Sequence, residues 1–319
     1  MGSFAREKLA STLFKRYEGN PIFTTENWPY PINSVFNPGA IAVDDEVLLL
    51  NRVESLTGFS HFTVARSKDG LTNWVIDEEP TMEPDLHSRE KEWGLEDPRI
   101  VWLEEQKQFA ITYVSLSEGG PTISLAITRN FKTFARLGGL LPPEDKDACL
   151  FPRRFNGRFA LIHRPIVRGE ALIWISLSPD LKHWGDHRVL LRTRHAYWDG
   201  ARVGLACQPI EIPEGWLLFY HGVRVTTAGQ IYRIGVALLD KNQPWHVLRR
   251  SPEWILGPRE PYERIGDVSD VTFVTGAVVM EDKNQLYAYY GAADDKVAVA
   301  VADMDRLREY IMLCPEEHE

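Results

Sequence analysis

Asp97 stands in the segment GLEDPR, residues 94–99, directly before an alternating apolar run that predicts a strand. A carboxyl group at the lip of a strand can be partly desolvated, which raises its pKa toward values useful for proton donation. Pro98 fixes the local backbone angle, and Arg99 either braces the loop or pairs with Glu96. Asp97 is therefore a candidate general acid, and a surface turn with an internal ion pair is the alternative.

Four basic side chains from separate parts of the chain form a second candidate set. Arg164 and His221 each end an apolar run, Arg202 stands among small residues, and Lys146 begins a basic-rich segment in DKDACLFPRR. A lone cation in such a place needs a buried partner or a ligand. Taken together, these four residues and a nearby acid predict an anion pocket next to a proton donor.

A third set consists of polar residues at the edges of predicted strands. Carboxylate, amide and guanidinium groups of this kind suit sugar hydroxyls, although half of them could equally make hydrogen bonds that close a sheet. The residues are Asn37, Arg52, Arg66, Asp267 and Asp294.

The elements that must position these residues are short strands. Runs of about 5–8 apolar-rich residues recur between Gly, Pro, Asn and Asp turns. On this pattern lies a weak repeat, in which a strand end is followed by an Asp or Asn turn and then a bulky apolar residue. Its five copies, about 50–65 residues apart, predict an all-β, five-bladed β-propeller, and a sandwich or jelly roll is the alternative. The copies begin at Ala65, Ala126, Ser176, Ala237 and Val301.

Helical patterns are confined to the ends of the chain. Phe4–Tyr17 predicts one helix within a short N-terminal helical extension, residues 1–20, and Met304–Met312 predicts another. No linker divides the rest, so we expect one catalytic domain over residues 1–319. In a propeller, functional side chains converge on one mouth of the central channel.

Composition limits the classes of partner. A net charge of -9 disfavours binding to nucleic acid. Three cysteines without metal-ligand spacing indicate reduced thiols, and the start of the chain lacks the apolar core of a secretory signal. No apolar run reaches the ~20 residues of a membrane span. We expect a cytoplasmic protein with no membrane partner, no metal and no cofactor.

Several separated motifs together resemble glycoside hydrolase family 130, the mannosyl phosphorylases and related β-mannosidases. The resemblance covers nearly the whole chain and implies a five-bladed propeller. It also implies inverting cleavage of β-mannosides by inorganic phosphate, a cosubstrate, to give α-mannose 1-phosphate. The motifs are NPGAI, ARSKDG, EDPR, LFPRRFNGRFALIHRP, EGWLLFYHGV, PREPYERIGDV and YYGAAD.

The resemblance also implies roles for the residues. Asp97 would be the general acid and would protonate the glycosidic oxygen through the 3-hydroxyl of the bound mannose. Phosphate would bind Lys146, Arg164, Arg202 and His221. Mannose would bind Asn37 and Asp294, joined by Arg52, Arg66 and Asp267. A homo-oligomer would be compatible with the family, and the leaving sugar and its linkage stay open.

Three other functions compete with phosphorolysis. A β-mannosidase of the same fold would activate water with carboxylates, as family hydrolases do, and would lack the basic set. An arabinanase-like propeller would need a triad of carboxylates at the mouth. A non-catalytic carbohydrate-binding propeller would bind mannosides without any dependence on phosphate.

Overall fold

The computed structural model describes residues 3–88 and 91–317 of the chain. Within these residues a helix and a short strand come first in the chain, and the strands together form five antiparallel sheets of four or five strands each. The sheets are the five blades of a β-propeller, which confirms the predicted fold class and its short helical extension. The two preceding elements are α1 (Ser3–Ala10) and β1 (Phe14–Arg16).

The blades follow one another along the chain, and the first strand of each lies innermost. Blade 1 consists of β2 (Ser34–Val43), β3 (Glu46–Glu54), β4 (Ser60–Ser67) and β5 (Val75–Ile76). Blade 2 consists of β6 (Gly94–Leu103), β7 (Gln108–Ser117), β8 (Gly120–Thr128) and β9 (Ala135–Gly139). Blade 3 consists of β10 (Asp145–Leu150), β11 (Phe159–Val167), β12 (Glu170–Ala171), β13 (Ile173–Ser178) and β14 (Gly185–Leu191). Blade 4 consists of β15 (Arg202–Leu205), β16 (Ile210–Ile212), β17 (Gly215–Thr226), β18 (Gly229–Leu239) and β19 (Val247–Arg250).

Blade 5 closes the ring with strands from both ends of the chain. Its C-terminal part consists of β20 (Thr272–Met280), β21 (Gln285–Ala292) and β22 (Lys296–Asp303). The outermost strand is β1, which pairs antiparallel with β22. Two further helices are α2 (Pro261–Arg264) and α3 (Met304–Leu313), and short 3-10 turns span Thr25–Asn27 and Glu281–Lys283.

The predicted N-terminal helix is too long. The helix ends at Ala10, and Phe14–Arg16, which the periodicity assigned to it, forms strand β1. Pairing with a strand almost 300 residues away overrides the local helical pattern, because ladder bonds and burial outweigh a weak propensity. Residues 1 and 2 of the expected extension lie outside the described residues. The C-terminal helix is confirmed to within one residue.

The five sequence repeats mark the five blades. Each falls where the strand next to the outermost one of a blade ends, at β4, β8, β13, β18 and β22. In four of them the side chain of the turn Asp or Asn accepts hydrogen bonds from the backbone N–H groups two and three residues later in the chain. In the fifth, Asp303 caps helix α3 by accepting from the backbone N–H of Arg306. The repeat is therefore a turn that its own side chain stabilises locally.

The core lies between neighbouring blades. Apolar side chains such as Leu125, Ile162 and Val203 bring blades 2, 3 and 4 into one buried cluster. Cys149, Cys207 and Cys314 are buried and free. None of the helices among the described residues combines the length and apolar character that crossing a bilayer requires.

Candidate active site

A cavity of about 390 Å³ opens where the innermost strands converge, and all five blades contribute to it. Eight of the ten site residues predicted from the sequence line it, so the scattered polar positions do converge. Those eight are Asn37, Arg52, Asp97, Lys146, Arg164, Arg202, His221 and Asp294.

Two predicted site residues lie elsewhere. Arg66 pairs across the sheet with Leu48, whereas Arg52, at the mouth, pairs with Phe62. This register places Arg66 at the far end of blade 1, where it forms an ion pair with Asp77 at 3.2 Å. Asp267 is exposed in the segment before β20 and accepts a hydrogen bond from Asn33, so it lies at the rim and not in the cavity wall.

Bulges in three innermost strands present side chains to the cavity. The pairing register shifts at Asn37, Asp97 and Asp147, in blades 1, 2 and 3 respectively. All three residues have a positive φ, of 44°, 51° and 51°. Asn and Asp tolerate this left-handed conformation, and a bulge redirects a side chain out of the alternation of the strand. Functional side chains here therefore occupy the same structural position in three blades.

The Asp97 carboxylate is buried, and one of its oxygens accepts two hydrogen bonds. Its Oδ1 accepts hydrogen bonds from Asn37 Nδ2 at 2.9 Å and from Arg52 Nη1 at 3.0 Å. Burial alone would raise the pKa of Asp97, but the nearby charges of Arg52 and Arg99 and the bond from Asn37 outweigh it and lower that pKa. The expected upward shift is therefore wrong for the ligand-free cavity, in which Asp97 is held ionised.

Arg99 braces the loop and does not pair with Glu96. It is fully buried and donates to the carbonyl of Asp97 at 3.0 Å and to those of Leu205 and Ala206 at 2.8 and 2.6 Å. Blade 2 is thereby tied to blade 4 directly behind the Asp97 carboxylate. Glu96 instead accepts from Arg52 and Lys146, at 2.9 and 3.0 Å.

The basic side chains occupy the wall formed by blades 3 and 4. Lys146 and Arg164 face each other in the β10–β11 ladder, and Arg164 donates to Asp147 at 2.5 Å. Arg202 donates to the Tyr232 hydroxyl at 3.0 Å. Its other guanidinium donors have no carboxylate partner among the described residues. This wall therefore carries positive charge directed at the cavity.

His221 is a neutral donor and not one of the expected cations. It is buried between the rings of Tyr232 and Phe273, with centroids 5.8 and 4.7 Å away. Burial, reinforced by the neighbouring arginines, lowers its pKa to about 3, although Asp147 opposes this shift. Its Nδ1 is buried and has no hydrogen-bond partner among the described residues. A bound oxyanion would satisfy that atom if the ring carries its proton there.

Sequence reasoning missed Asp147. This carboxylate accepts from Arg164 and lies 3.4 Å from His221 Nε2 and 3.7 Å from Arg99 Nη2. Burial opposes its ionisation, but the charges of Arg164 and Arg99 lower its pKa. It orders the basic wall by fixing the Arg164 guanidinium. Like Asn37 and Asp97, Asp147 lies near the start of the innermost strand of its blade. This equivalence becomes visible only when the pairing register of the strands is known.

Asp294 behaves differently from the other carboxylates. Burial raises its pKa to about 6, and Asp97, Asp267 and Glu96 add to this rise while Arg52 opposes it. Asp294 can therefore carry a proton at slightly acid pH, and then donate as well as accept a hydrogen bond.

A buried chain of hydrogen bonds supports the basic wall from behind. Asp145 accepts from the backbone N–H of Arg164 at 3.1 Å and contacts His163 Nδ1 at 2.6 Å. His163 Nε2 lies 2.7 Å from Ser176 Oγ. Although this is the residue set of a hydrolytic triad, Ser176 is 0% exposed, so substrate cannot reach it. The chain is structural and fixes the strands that carry Lys146 and Arg164.

Within residues 3–88 and 91–317, no three His, Cys, Asp or Glu side chains are arranged to hold a metal ion. The cavity combines one buried acid, a basic wall and several groups that bind hydroxyls. Such a constellation suits transfer of a sugar to a small oxyanion.

Comparison with known proteins gives a consistent result. The glycoside hydrolase family 130 model, described as beta-1,4-mannooligosaccharide phosphorylase, matches residues 7–312. A beta-1,4-mannooligosaccharide phosphorylase of Ruminococcus albus is 34% identical over 306 residues, which cover 93% of this chain and 90% of the relative.

Two solved structures are also similar. The beta-1,2-mannobiose phosphorylase of Listeria innocua, in complex with beta-1,2-mannobiose, has a TM-score of 0.85 and 31% identity, covering 94% of this chain and 99% of that one. Another has a TM-score of 0.80 and 25% identity, over 90% of this chain and 93% of that one. The latter comes with the statement that this family of mannoside phosphorylases contains glycoside hydrolases that target beta-1,2 mannosidic linkages in Candida mannan.

Proposed function

This chain belongs to glycoside hydrolase family 130, and on that premise we propose that its central cavity transfers a mannosyl unit from a β-mannoside to inorganic phosphate. It is a glycoside phosphorylase that acts on β-mannosides. Our finer proposal has two parts. It names the residues that bind phosphate and sugar, and it identifies mannose 1-phosphate as the product. One observation carries it: Lys146, Arg164, Arg202 and the unpartnered Nδ1 of His221 lie in the same cavity as Asp97.

The reaction needs only one catalytic carboxyl group, because phosphate is already an anionic nucleophile. A lone pair of a phosphate oxygen forms the new bond to the anomeric carbon while the bond from that carbon to the glycosidic oxygen breaks. The bonding electrons leave with the glycosidic oxygen, which gains the proton of Asp97 by way of the mannose 3-hydroxyl. Attack from the face opposite the leaving group converts the β-mannoside to α-mannose 1-phosphate.

The proton of Asp97 is coupled to the arrival of phosphate. In the ligand-free cavity the charges of Arg52 and Arg99 lower the pKa of Asp97, despite its burial. A phosphate dianion between Asp97 and the basic wall opposes those charges and raises that pKa. Monohydrogen phosphate brings one proton and mannose 1-phosphate leaves without it, so the proton count balances over a turnover. Asp97 therefore becomes an acid when the nucleophile is in place.

Mannose binding is assigned to the wall formed by blades 1, 2 and 5. Asn37 Oδ1 is buried and without a partner among the described residues, so a sugar hydroxyl can donate to it. Arg52 and Asp294 line the same wall, and Asp267 lies at its rim. Arg66 is not included, because its ion pair with Asp77 holds it at the far end of blade 1.

Hydrolysis by water is the second candidate. Asp147 and Asp294 are carboxylates in the cavity, and a solved relative at 25% identity is tied to hydrolases of this family. Against it, Asp147 is committed to Arg164 by a 2.5 Å bond. A water-activating base needs a free lone pair directed at the anomeric carbon.

The test is to incubate β-1,4- and β-1,2-mannobiose separately with the protein, with and without phosphate, and to follow ³¹P and ¹H NMR spectra. We expect α-mannose 1-phosphate and released sugar in equal amounts, and only with phosphate. Free mannose released at the same rate in both samples would instead establish hydrolysis. Binding without any cleavage would identify a carbohydrate-binding propeller.

No cofactor is proposed, since phosphate supplies the nucleophile and Asp97 the proton. The cytoplasm is the proposed compartment, supported by three buried cysteines without a disulfide.

A further inference from the structure

A second cavity of about 580 Å³ lies in a groove between blades 1 and 2, on the same end of the propeller as the catalytic cavity. It follows the β3–β4 turn and the segment that leads into β6, both of which lie at the mouth beside Arg52 and Asp97. We call it the aromatic groove. Its aromatic lining residues are Tyr30, Phe59, His61 and Trp93.

The aromatic groove exposes two large rings that a folded protein usually covers. Trp93 is 40% exposed and Phe59 is 44% exposed. Ser55, Thr57 and Glu83 line the same groove and can exchange hydrogen bonds with a ligand. Flat apolar rings beside hydroxyl and carboxylate groups match the two faces of a pyranose, whose C–H surfaces stack while its hydroxyls hydrogen-bond.

The walls of the groove are held in place. Arg136 of blade 2 forms an ion pair with the buried carboxylate of Glu92 and donates to the carbonyl of Glu83, so it holds two residues beside the Trp93 wall. Tyr113 also donates to Glu92, at 3.1 Å. On the other wall, the Tyr30 hydroxyl lies 2.9 Å from His61 Nε2. These contacts fix the described residues on both sides of the groove without a ligand.

The aromatic groove and the catalytic cavity share a wall. Arg52 lines the catalytic cavity and donates from Nε to Ser60 Oγ at 3.0 Å, and Ser60 lines the groove. Trp93 directly precedes β6, which carries Asp97 four residues later. A ligand that leaves the catalytic cavity over Arg52 therefore enters the groove.

The direction of the reaction selects the occupant. Inversion requires phosphate and leaving group on opposite sides of the anomeric carbon. The basic wall belongs to blades 3 and 4, so the leaving chain departs toward Asp97 and blades 1 and 2, where the groove begins. We propose that the aromatic groove binds the leaving-side sugars of a β-linked manno-oligosaccharide, beyond those held in the catalytic cavity. This inference rests on the proposed function, and it makes longer chains the better substrates.

The kinetic test compares phosphorolysis of a mannotetraose and a mannobiose of the linkage that the wild-type protein cleaves. We expect the wild-type protein to have a higher kcat/KM for the tetrasaccharide. Trp93→Ala should reduce the ratio of the two kcat/KM values about fivefold or more, through KM for the tetrasaccharide. The matched control is Trp254→Ala, which removes a tryptophan that is 42% exposed in a different cavity, and it should leave the ratio unchanged.

Titration of mannotetraose into Asp97→Asn protein without phosphate tests the groove even if no β-mannoside is phosphorolysed. Adding Trp93→Ala to that variant should weaken binding by a similar factor, and adding Trp254→Ala should not. An unchanged kinetic ratio together with unchanged affinity would overturn the inference. An equal loss of kcat/KM for the tetrasaccharide and the disaccharide in Trp93→Ala would also overturn it. If the wild-type protein phosphorolyses neither substrate but mannotetraose binding depends on Trp93, the proposed reaction is wrong and the groove is still a sugar site.

Discussion

Most cations in the catalytic cavity already have an acidic partner. Lys146 pairs with Glu96, Arg164 with Asp147, and Arg52 with both Glu96 and Asp97. These pairs keep buried charge compensated while the cavity is empty, which limits the desolvation penalty. Phosphate must therefore compete with carboxylates for donors, and the unoccupied donors of Arg202 provide the first free contact.

Replacement of the proposed acid tests its role directly. Asp97→Asn keeps the hydrogen-bonding shape but cannot donate the proton, so we expect kcat to fall by roughly 10²–10⁴. Circular dichroism should show the wild-type fold, and the melting temperature should fall moderately because Arg52 loses one of its two charge partners. Initial rates with saturating mannoside and phosphate measure the effect, and a variant that keeps a tenth or more of the activity would refute the assignment.

Asp294 should show a trade of stability against binding. Its folded-state pKa of about 6 lies above the usual carboxyl value, so its protonated form is favoured in the fold and stability is lost as pH rises through about 6. Asp294→Asn should therefore raise stability at pH 7.5, by at most roughly 3 kcal/mol, and change it little near pH 4. Thermal melts at both pH values check this, together with a higher KM for mannoside. A variant equally destabilised at both pH values would contradict the assigned pKa.

Local chemistry explains why some residues could be predicted and others could not. Asp97 and the basic residues stand out because a lone charge at a strand end is rare. Arg66 looks equivalent in the sequence, but strand register decides which end of the blade it reaches. The neutral state of His221 depends chiefly on its burial, and the low pKa of Asp97 depends on Arg52 and Asn37 of blade 1 as well as on Arg99, so neither can be derived from a local pattern.

Strand irregularities are the elements that shape the cavity. The bulges at Asn37, Asp97 and Asp147 redirect side chains in three blades. In blade 4, Gly204 has no side chain, so Asp147 and His221 can pack directly against its backbone. A Cβ on Gly204 would lie 2.3 Å from both Asp147 Oδ2 and His221 Cε1. The missing side chain therefore makes room for the basic wall.

Gly204→Ala should damage phosphate binding without removing any polar group. The added methyl must displace Asp147 or His221, so we expect KM for phosphate to rise more than tenfold. Gly185→Ala is the matched control, because a Cβ there has nothing within 4 Å. Initial rates with varied phosphate measure both variants. Equal values for the two would show that the close approach is unimportant.

The number of blades could be predicted from the turn residues. The strand that closes the ring could not, because it is defined by pairing with a distant strand. Each repeat carries its own Asp or Asn turn, which can be recognised within a few residues. The strand Phe14–Arg16 acquires its identity only from β22, at the other end of the chain. A helix was therefore predicted where the closing strand lies.

Closure of the ring depends on a buried ion pair as well as on strand pairing. Arg16 of β1 donates to Glu263 at 2.7 and 2.8 Å, and Glu263 is 0% exposed. The same carboxylate accepts from the Tyr290 hydroxyl and from the backbone N–H groups of Arg259 and Glu260. The N-terminal strand is thereby fixed to the segment before blade 5.

Arg16→Met should weaken the whole propeller. It leaves the buried Glu263 without its cation, which costs about 3 kcal/mol or more. The control is Lys15→Met on the same strand, because the Lys15 side chain is exposed. Chemical denaturation gives the free energy of unfolding for each. Similar values for the two variants would mean that ring closure does not depend on this pair.

The most direct measurement is the dependence of rate on phosphate concentration for Arg202→Met at saturating mannoside. Arg202 offers free donors to the cavity, so KM for phosphate should rise at least tenfold while KM for mannoside changes less than threefold. Arg188→Met, which alters an exposed arginine on β14, should match the wild-type protein. An unchanged KM for phosphate in Arg202→Met, or a wild-type rate that does not depend on phosphate, would contradict a phosphate site beside Asp97.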